Sequence, residues 1–294
     1  MDKLALKKFV EENPKLVSMR SAGNGIFVLK YKKAVFFDNL WNDFLEECRG
    51  TIVDAEFNIV SRPFTKIYNY GIEAKAPVLS TDTVVDAYRK VNGFMVAVTW
   101  HNGDLLVSTT GSTDSDFVAM ARELIDVERY RGVCKKWHNT TFMFECVHPN
   151  DPHIVVEKPV MYILGYLENK WCSKVGYNNE VLTDLAGAFN CYKPEVYTTT
   201  VGNVIEQTKN VRHEGFVFYT ADGVSAKIKS PYYLTSKWVA RNPRTDKLVD
   251  LNKDIKHNID EEYHNLIDAI RLNIVEYTAM TEQERLAWVR NYFE

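Results

Sequence analysis

Short segments rich in β-branched and aromatic residues recur along most of this chain and constrain its fold more than any other feature. Each has the length of a strand and is separated from the next by polar or turn-forming residues. Asn102-Gly103 joins two of them, as in a tight β-hairpin. The pattern predicts strands at 26–31, 51–54, 94–100, 105–108, 141–145, 161–166, 215–219 and 225–229.

Helical patterns lie mainly at the two ends of the chain. The pattern of residues 1 to about 20 predicts a helix and its exit, and that of residues 115–130 predicts helical structure. After Trp238 the apolar residues fall at helical spacing, and Thr281 with Glu284 predicts a capping box at the start of a last helix. We therefore predict an α+β fold with antiparallel sheets in a domain of residues 1–243, followed by a small helical domain of residues 244–294.

Charge and cysteine usage narrow the functional classes. The 294 residues include 36 basic and 39 acidic side chains, for a net charge of -3, so any contact with nucleic acid requires a local basic surface. No apolar run reaches transmembrane length. The five cysteines are scattered without a Cys-x-x-Cys pair, which is typical of reduced thiols and argues against a structural zinc site. We expect a cytoplasmic protein with no membrane partner.

Four short segments carry the residue types that phosphate chemistry requires. They are Lys90-Val91-Asn92-Gly93, Phe144-Glu145, Glu214-Gly215-Phe216-Val217 and Lys227-Ile228-Lys229. Each alone is typical of a solvated turn, a surface carboxylate or a protected edge strand. Lys227 and Lys229 are two residues apart, so on a strand their ammonium groups share one face. Together the segments supply a nucleophile, carboxylates that hold a metal ion, and cations for phosphate charge.

In this order the segments resemble motifs I, IIIa, IV and V of the covalent nucleotidyltransferases. The spacing also agrees, with 55 residues from Lys90 to Glu145, 69 more to Glu214 and 13 to Lys227. Upstream, Glu47-Cys48-Arg49-Gly50 and the segment from Arg62 to Tyr70 resemble stretches distinctive of the phage T4 RNA ligase 1 family of ATP-dependent RNA ligases. The resemblance covers roughly residues 40–240 and implies the nucleotidyltransferase fold.

The resemblance also implies a role for each matching residue. Lys90 would attack the α-phosphate of ATP and carry AMP, while Glu145 would lie near the nucleoside. Glu214 would hold a metal ion, Mg²⁺ or Mn²⁺. The residues expected to bind ATP are Arg49, Lys66, Lys90, Glu145, Lys227 and Lys229, and those expected to act in catalysis are Lys90, Lys227 and Lys229. Two positions depart from the family pattern: Phe94 replaces a small hydroxyl residue, and Thr110 replaces a basic one.

The implied function is an RNA ligase that joins 3′-hydroxyl and 5′-phosphate ends through lysyl-AMP and RNA-adenylate intermediates, as in repair of a nicked tRNA. The family also implies a phage or virus as the source, which would place the protein in the host cytoplasm, and we expect a monomer. A DNA ligase or an mRNA capping guanylyltransferase is an alternative, although both usually carry an oligonucleotide-binding barrel where this chain predicts helices. A non-catalytic protein that binds RNA ends is a third possibility, which the complete lysine set disfavours.

Overall fold

The computed structural model of the chain describes residues 2–151, 153–241, 256, 259 and 261–293. These residues form two compact units, each assembled from separate stretches of sequence. The first unit comprises the described residues within the stretches 1–68, 93–151 and 157–195, and the second comprises those within 69–92, 152–156 and 196–294. The predicted domain boundary after residue 243 lies outside the described residues and stays a prediction.

The first unit contains two four-stranded antiparallel sheets and six helices. Across one sheet the strands, numbered in chain order, are β1 (Val17–Ser21), β2 (Ile26–Tyr31), β3 (Arg49–Asp54) and β4 (Ile59–Ser61). Across the other they are β7 (Asp104–Ser108), β6 (Phe94–His101), β8 (Thr140–Cys146) and β9 (Met161–Glu168). The helices are α1 (Lys3–Glu12), α2 (Lys33–Phe37), α3 (Asp43–Glu47), α4 (Asp116–Leu124), α5 (Val127–Lys136) and α6 (Asn179–Phe189).

Among its described residues, the second unit contains one four-stranded antiparallel sheet together with helices. Across the sheet the strands are β10 (Val196–Thr200), β5 (Val84–Arg89), β11 (Gly215–Thr220) and β12 (Ser225–Lys229). The helices are α7 (Val201–Asn210), α8 (Pro231–Arg241), α9 (His264–Leu272), α10 (Ile274–Ala279) and α11 (Glu282–Phe293), with a 3-10 turn at Glu261–Tyr263. None of the described helices has the length and apolar character needed to cross a membrane.

The eight predicted strands are all present, and the local signals that flank them act as expected. Asn102 and Gly103 both have positive φ angles, 48° and 84°, as a tight hairpin between β6 and β7 requires. At the start of α11 the Thr281 N–H donates to the Glu284 carboxylate at 2.7 Å, and the Glu284 N–H donates to the Thr281 hydroxyl at 3.3 Å. The predicted capping box is therefore confirmed.

The predicted helical character of residues 115–130 is confirmed, and the structure divides this region into two helices, α4 and α5. Ile125 has extended backbone angles and ends α4. Asp126 then caps α5, because its carboxylate accepts the Arg129 N–H at 3.3 Å. An aspartate inside a continuous helical pattern marked this break, since aspartate favours the cap over the helix interior.

The core of the second unit fixes the strand that carries Lys227 and Lys229. Ala87 of β5, Phe218 of β11 and Ala226 of β12 are buried in one cluster, against which Ile228 packs. Lys227 and Lys229 alternate with Ala226 and Ile228 along β12, so the predicted separation of the two faces is confirmed. The C-terminal helices bury their apolar stripe against Val239 of α8, in a cluster that includes Leu266 and Ile270.

Candidate functional site

Lys90 lies directly after β5, where sheet pairing fixes its backbone. Its N–H donates to the Gly215 carbonyl at 2.8 Å, extending the β5–β11 ladder by one bond. Its Nζ lies 3.1 Å from Oε2 of Glu214, the residue before Gly215. The Lys90 side chain is 20% exposed and the Glu214 side chain is 4% exposed, so the lysine reaches solvent whereas the glutamate is buried.

Glu214 is the centre of this arrangement. Its Oε1 lies 3.0 Å from the Lys229 Nζ, and its Oε2 also accepts from the Asn92 amide at 2.9 Å. The Asn92 side chain is itself fixed, because its carbonyl oxygen accepts the Val155 N–H at 3.0 Å. Burial alone would raise the pKa of Glu214, but Lys90 and Lys229 outweigh burial and hold the pKa below its ordinary value. The carboxylate is therefore charged at neutral pH and holds two ammonium groups in place.

Gly215 allows this cluster to form at the end of the sheet. Its φ angle is +128°, which L side chains rarely adopt, and a Cβ there would collide with the Ile228 carbonyl oxygen. Gly215 pairs with Lys229, and Val217 pairs with Lys227. Close approach of β11 to β12 therefore places both motif V lysines beside the Glu214 segment. The Lys227 carbonyl also accepts the Tyr70 N–H at 2.8 Å.

Helix α8 adds two residues that the sequence analysis did not assign to the site. Tyr233 is 5% exposed, and its ring lies 4.8 Å from the Lys229 Nζ and 5.7 Å from the Lys237 Nζ. Burial raises the pKa of Tyr233 to about 12, and the negative charge of Glu214 makes a smaller contribution in the same direction. Burial also lowers the pKa of Lys237, with smaller contributions from the positive charges of Lys229 and Arg241. The available signal was the spacing of Tyr233 and Lys237, which lie four residues apart in α8 and therefore share one face of the helix.

Glu145 belongs to the first unit and is described there. It lies in β8, is 7% exposed, and accepts the Gly93 N–H at 3.0 Å. A Cβ at Gly93 would collide with the Cys146 carbonyl oxygen and come within 3.0 Å of the Glu145 Cγ. The glycine of the Lys-x-Asn-Gly segment is therefore required so that the backbone before β6 can approach Glu145.

Gly93→Ala should lower the melting temperature of the protein, because the added methyl group meets backbone atoms that cannot move aside as a side chain can. A cost of about 1–3 kcal/mol is typical of such overpacking. Gly132→Ala is the matched control, since a Cβ there meets nothing within 4 Å. Thermal unfolding of both variants measures the difference, and equal melting temperatures would contradict the close approach.

Arg49 and Lys66 also lie in the first unit. Arg49 begins β3, and the Lys66 Nζ lies 4.5 Å from the Trp41 ring and 4.6 Å from the Tyr68 ring. Nearby, the Arg62 guanidinium binds both carboxylate oxygens of Glu47 at 2.8 and 2.6 Å, and both side chains are buried. This bidentate pair links the end of α3 to the segment after β4, and sequence reasoning did not find it.

The structure thus brings three of the seven predicted site residues, Lys90, Glu214 and Lys229, into direct contact. Lys227 lies on the same sheet. Glu145, Arg49 and Lys66 lie in the other unit, each in its own local setting. The departure at Phe94 has a packing explanation, because its ring contacts the Phe117 ring edge-on at 4.9 Å.

Comparison with known proteins is consistent with this arrangement. The sequence model of an RNA ligase family, of the T4 RNA ligase 1 type, matches residues 47–233, which is more than half of the chain. The chain belongs to that RNA ligase family. The predicted family is therefore confirmed, and the match contains all seven predicted site residues.

Individual relatives of this RNA ligase family member are more distant. A bifunctional polynucleotide kinase/RNA ligase, provisionally so named, of Autographa californica nuclear polyhedrosis virus is 25% identical over 248 residues. That match covers 72% of this chain and 34% of the viral protein, so the chain spans about a third of its relative's length.

Two solved structures share the fold of this RNA ligase family member. A provisionally named ATP-dependent DNA ligase from Aquifex aeolicus has a TM-score of 0.58 at 16% identity, covering 96% of this chain and 76% of the other. An archaeal ATP-dependent RNA ligase has a TM-score of 0.57 at 14% identity, covering 96% and 75%. At this identity the likeness confirms the nucleotidyltransferase ligase fold.

Proposed function

We propose that this chain is an ATP-dependent RNA ligase that joins an RNA 3′-hydroxyl to a 5′-phosphate. The observation that carries the proposal is the buried Glu214 carboxylate, which holds Lys90 at 3.1 Å and Lys229 at 3.0 Å. A protein that only binds RNA ends needs no lysine fixed next to a second lysine by a buried carboxylate. Membership of the RNA ligase family supports RNA as the substrate.

Three nucleotidyl transfers make up the proposed reaction. Lys90 attacks the α-phosphorus of ATP, so that a P–N bond forms and pyrophosphate leaves. The 5′-phosphate of RNA then takes the AMP from Lys90, and the 3′-hydroxyl finally displaces AMP to make the phosphodiester. Attack requires the Lys90 amine with a free electron pair, so its proton and its contact with Glu214 must be given up as ATP binds.

The other residues have electrostatic and binding roles in this proposal. Lys227 and Lys229 offset negative charge that grows on phosphate oxygens during each transfer. Glu145 accepts a hydrogen bond from the nucleoside, and Arg49 and Lys66 contact phosphates. These assignments follow the family motifs at the matching positions of this chain.

A divalent metal ion fits the chain only in part. Among the described residues, no three His, Cys, Asp or Glu side chains gather into a metal site. Both oxygens of Glu214 already accept from N–H donors. In sites that handle nucleotides, Mg²⁺ is commonly held by one or two carboxylates together with substrate phosphates and water. We therefore propose that Glu214 holds Mg²⁺ or Mn²⁺ together with ATP, where the ion would offset phosphate charge.

We further propose that the enzyme acts as a monomer in the cytoplasm and repairs broken RNA, of which nicked tRNA is the leading candidate. The five cysteines, all within the described residues, form no disulfide, as a reducing compartment favours. The viral relative supports a phage or viral origin.

Incubation with ATP or GTP labelled at the α-phosphate, with a divalent metal, tests this function against its alternatives. We expect covalent label from ATP and sealing of a nicked RNA stem-loop. Label from GTP would indicate a capping guanylyltransferase, and absence of any label would indicate a binding protein. Label from ATP with sealing of nicked DNA but not of RNA would indicate a DNA ligase.

A further inference from the structure

A long basic stretch stands out in a chain whose net charge is -3. Between Glu12 and Asp38 there is no acidic residue, and the stretch contains five basic ones: Lys15, Arg20, Lys30, Lys32 and Lys33. Because overall charge cannot attract a polyanion to this protein, a local excess of this kind is where such a contact is expected.

The fold gathers these residues on one part of the first unit. β1 and β2 pair antiparallel with Ser18 opposite Lys30, and the Lys32 N–H donates to the Leu16 carbonyl at 2.7 Å. This bond brings the backbones next to Lys15 and Lys32 together. Arg20 has Asp114 as an ion-pair partner at 3.7 Å, whereas the four lysines have no ion pair with any described residue.

Helix α2 follows directly and presents two aromatic rings to solvent. Val35 is fully buried and anchors the helix, while Phe36 is 58% exposed and Phe37 is 74% exposed. Their ring centroids lie 5.6 Å apart at an interplanar angle of 75°. Folding gains little from exposed phenylalanine rings side by side, and contiguous apolar surface of this kind marks an interaction site. We call Lys32, Lys33, Phe36 and Phe37 the α2 platform.

The composition of the α2 platform favours single-stranded nucleic acid over a protein surface. Proteins that hold single strands combine basic side chains along the backbone with aromatic rings on which bases stack. Lys30, two residues before Lys32 along the chain, adds a further cation beside a residue of the candidate site. Lys30 pairs with Arg49 in the β2–β3 register, and a Cβ at Gly111 would come within 2.5 Å of the Lys30 Nζ. A strand bound at the platform could therefore follow cations as far as Arg49.

We propose that the α2 platform binds a single-stranded segment of the RNA next to its reacting end. Bases stack on Phe36 and Phe37, and Lys32 and Lys33 contact the phosphates between them. Lys30 continues the path toward Arg49. The identity of the ligand as RNA rests on the proposed function, whereas the binding surface is argued from the platform itself.

Fluorescence anisotropy of a labelled 5′-phosphorylated RNA oligonucleotide, measured over a range of salt concentrations, separates the two kinds of contact. Phe36→Ala/Phe37→Ala should weaken binding at least about fivefold and leave the salt dependence unchanged, because stacking releases no counterions. Lys32→Ala/Lys33→Ala should lower the slope of log K against log salt by about 1.4, since each single-strand phosphate contact contributes about 0.7.

Leu272→Ala/Val275→Ala is the matched control. These side chains are 86% and 82% exposed on helices of the second unit. Their truncation therefore removes a similar amount of exposed apolar surface and leaves the α2 platform intact. The control should bind RNA as the parent does. Phe37→Trp in an otherwise intact platform should keep the affinity, because indole also stacks.

Three outcomes would overturn the proposal: a parent protein that does not bind the oligonucleotide even at low salt, phenylalanine variants that bind as the parent does, or lysine variants with an unchanged salt slope. If the phenylalanine variants instead reduce self-association in sedimentation and leave RNA binding intact, the platform is a protein interface. These readouts measure binding alone. A parent that binds RNA at the platform and forms no lysyl-AMP would therefore refute the proposed function and leave the platform standing.

Discussion

Lys90→Ala should form no covalent AMP adduct and should seal 5′-phosphate RNA at least about a thousandfold more slowly than the parent, because no other group replaces the nucleophile. The same variant should still join RNA that already carries a 5′-AMP, since that substrate enters the reaction after the lysine has acted. Single-turnover joining of both substrates measures the contrast. Peptide mapping of the parent should place the AMP on Lys90.

Lys227→Ala provides the comparison that separates a nucleophile from an electrostatic contact. Loss of one preorganised cation typically costs on the order of 3 kcal/mol in the transition state, about a hundredfold in rate, and the need recurs at each phosphorus centre. Lys227→Ala should thus slow both substrates, while Lys209→Ala, on an exposed part of α7, should slow neither. If Lys227→Ala joins pre-adenylylated RNA at the parental rate and Lys90→Ala cannot join it, the roles assigned to the two lysines are reversed.

The sequence was sufficient to predict the candidate chemistry because the residues that carry it lie in short segments with strong local character. Glu214-Gly215 precedes an apolar strand, and Lys227 and Lys229 alternate with core residues along β12. Alternation of this kind determines which face of a strand is buried. The strand at Val84–Arg89, which delivers Lys90 to Glu214, was not predicted. It contains Asp86 and Arg89, and its strand character comes from pairing with β10 and β11 on both sides.

Contacts between distant parts of the chain were beyond sequence reasoning. Asn92 and Glu214 are 122 residues apart, and Arg62 reaches Ser173 across 111 residues. Neither pair has a local pattern, because the register of a sheet or the course of a loop creates it. Asn92 was noted only as part of a turn, yet its amide completes the donor set around Glu214. Tyr233 lies in no motif, and its ring packs against the ammonium group of Lys229.

Loss of the Glu214 charge should affect stability and chemistry together, and Glu214→Gln tests this because the amide preserves the size of the side chain. Lys90 and Lys229 would then lack their buried counter-charge, and breaking a buried pair by removing one partner costs about 3–5 kcal/mol. We expect a lower melting temperature at neutral pH and much slower formation of lysyl-AMP, since Lys90 is no longer held. Glu206→Gln, which removes an exposed partner of Lys209, should cost less than about 1 kcal/mol.

The pH dependence of unfolding distinguishes the charge of Glu214 from its packing. The pKa of Glu214 is below its ordinary value in the folded protein, so the carboxylate stabilises the folded state at any pH above the ordinary value of 4.5. That contribution declines as pH falls from 4.5 toward the lowered pKa, because the unfolded chain takes up the proton first. The difference in unfolding free energy between the parent and Glu214→Gln should therefore be constant from pH 8 to about 5.5 and should narrow below about pH 4.5. Chemical denaturation at several pH values measures it. A difference that stays constant into the acid range would mean that Glu214 contributes through its shape, and the account of Lys90 and Lys229 as held by its charge would have to be abandoned.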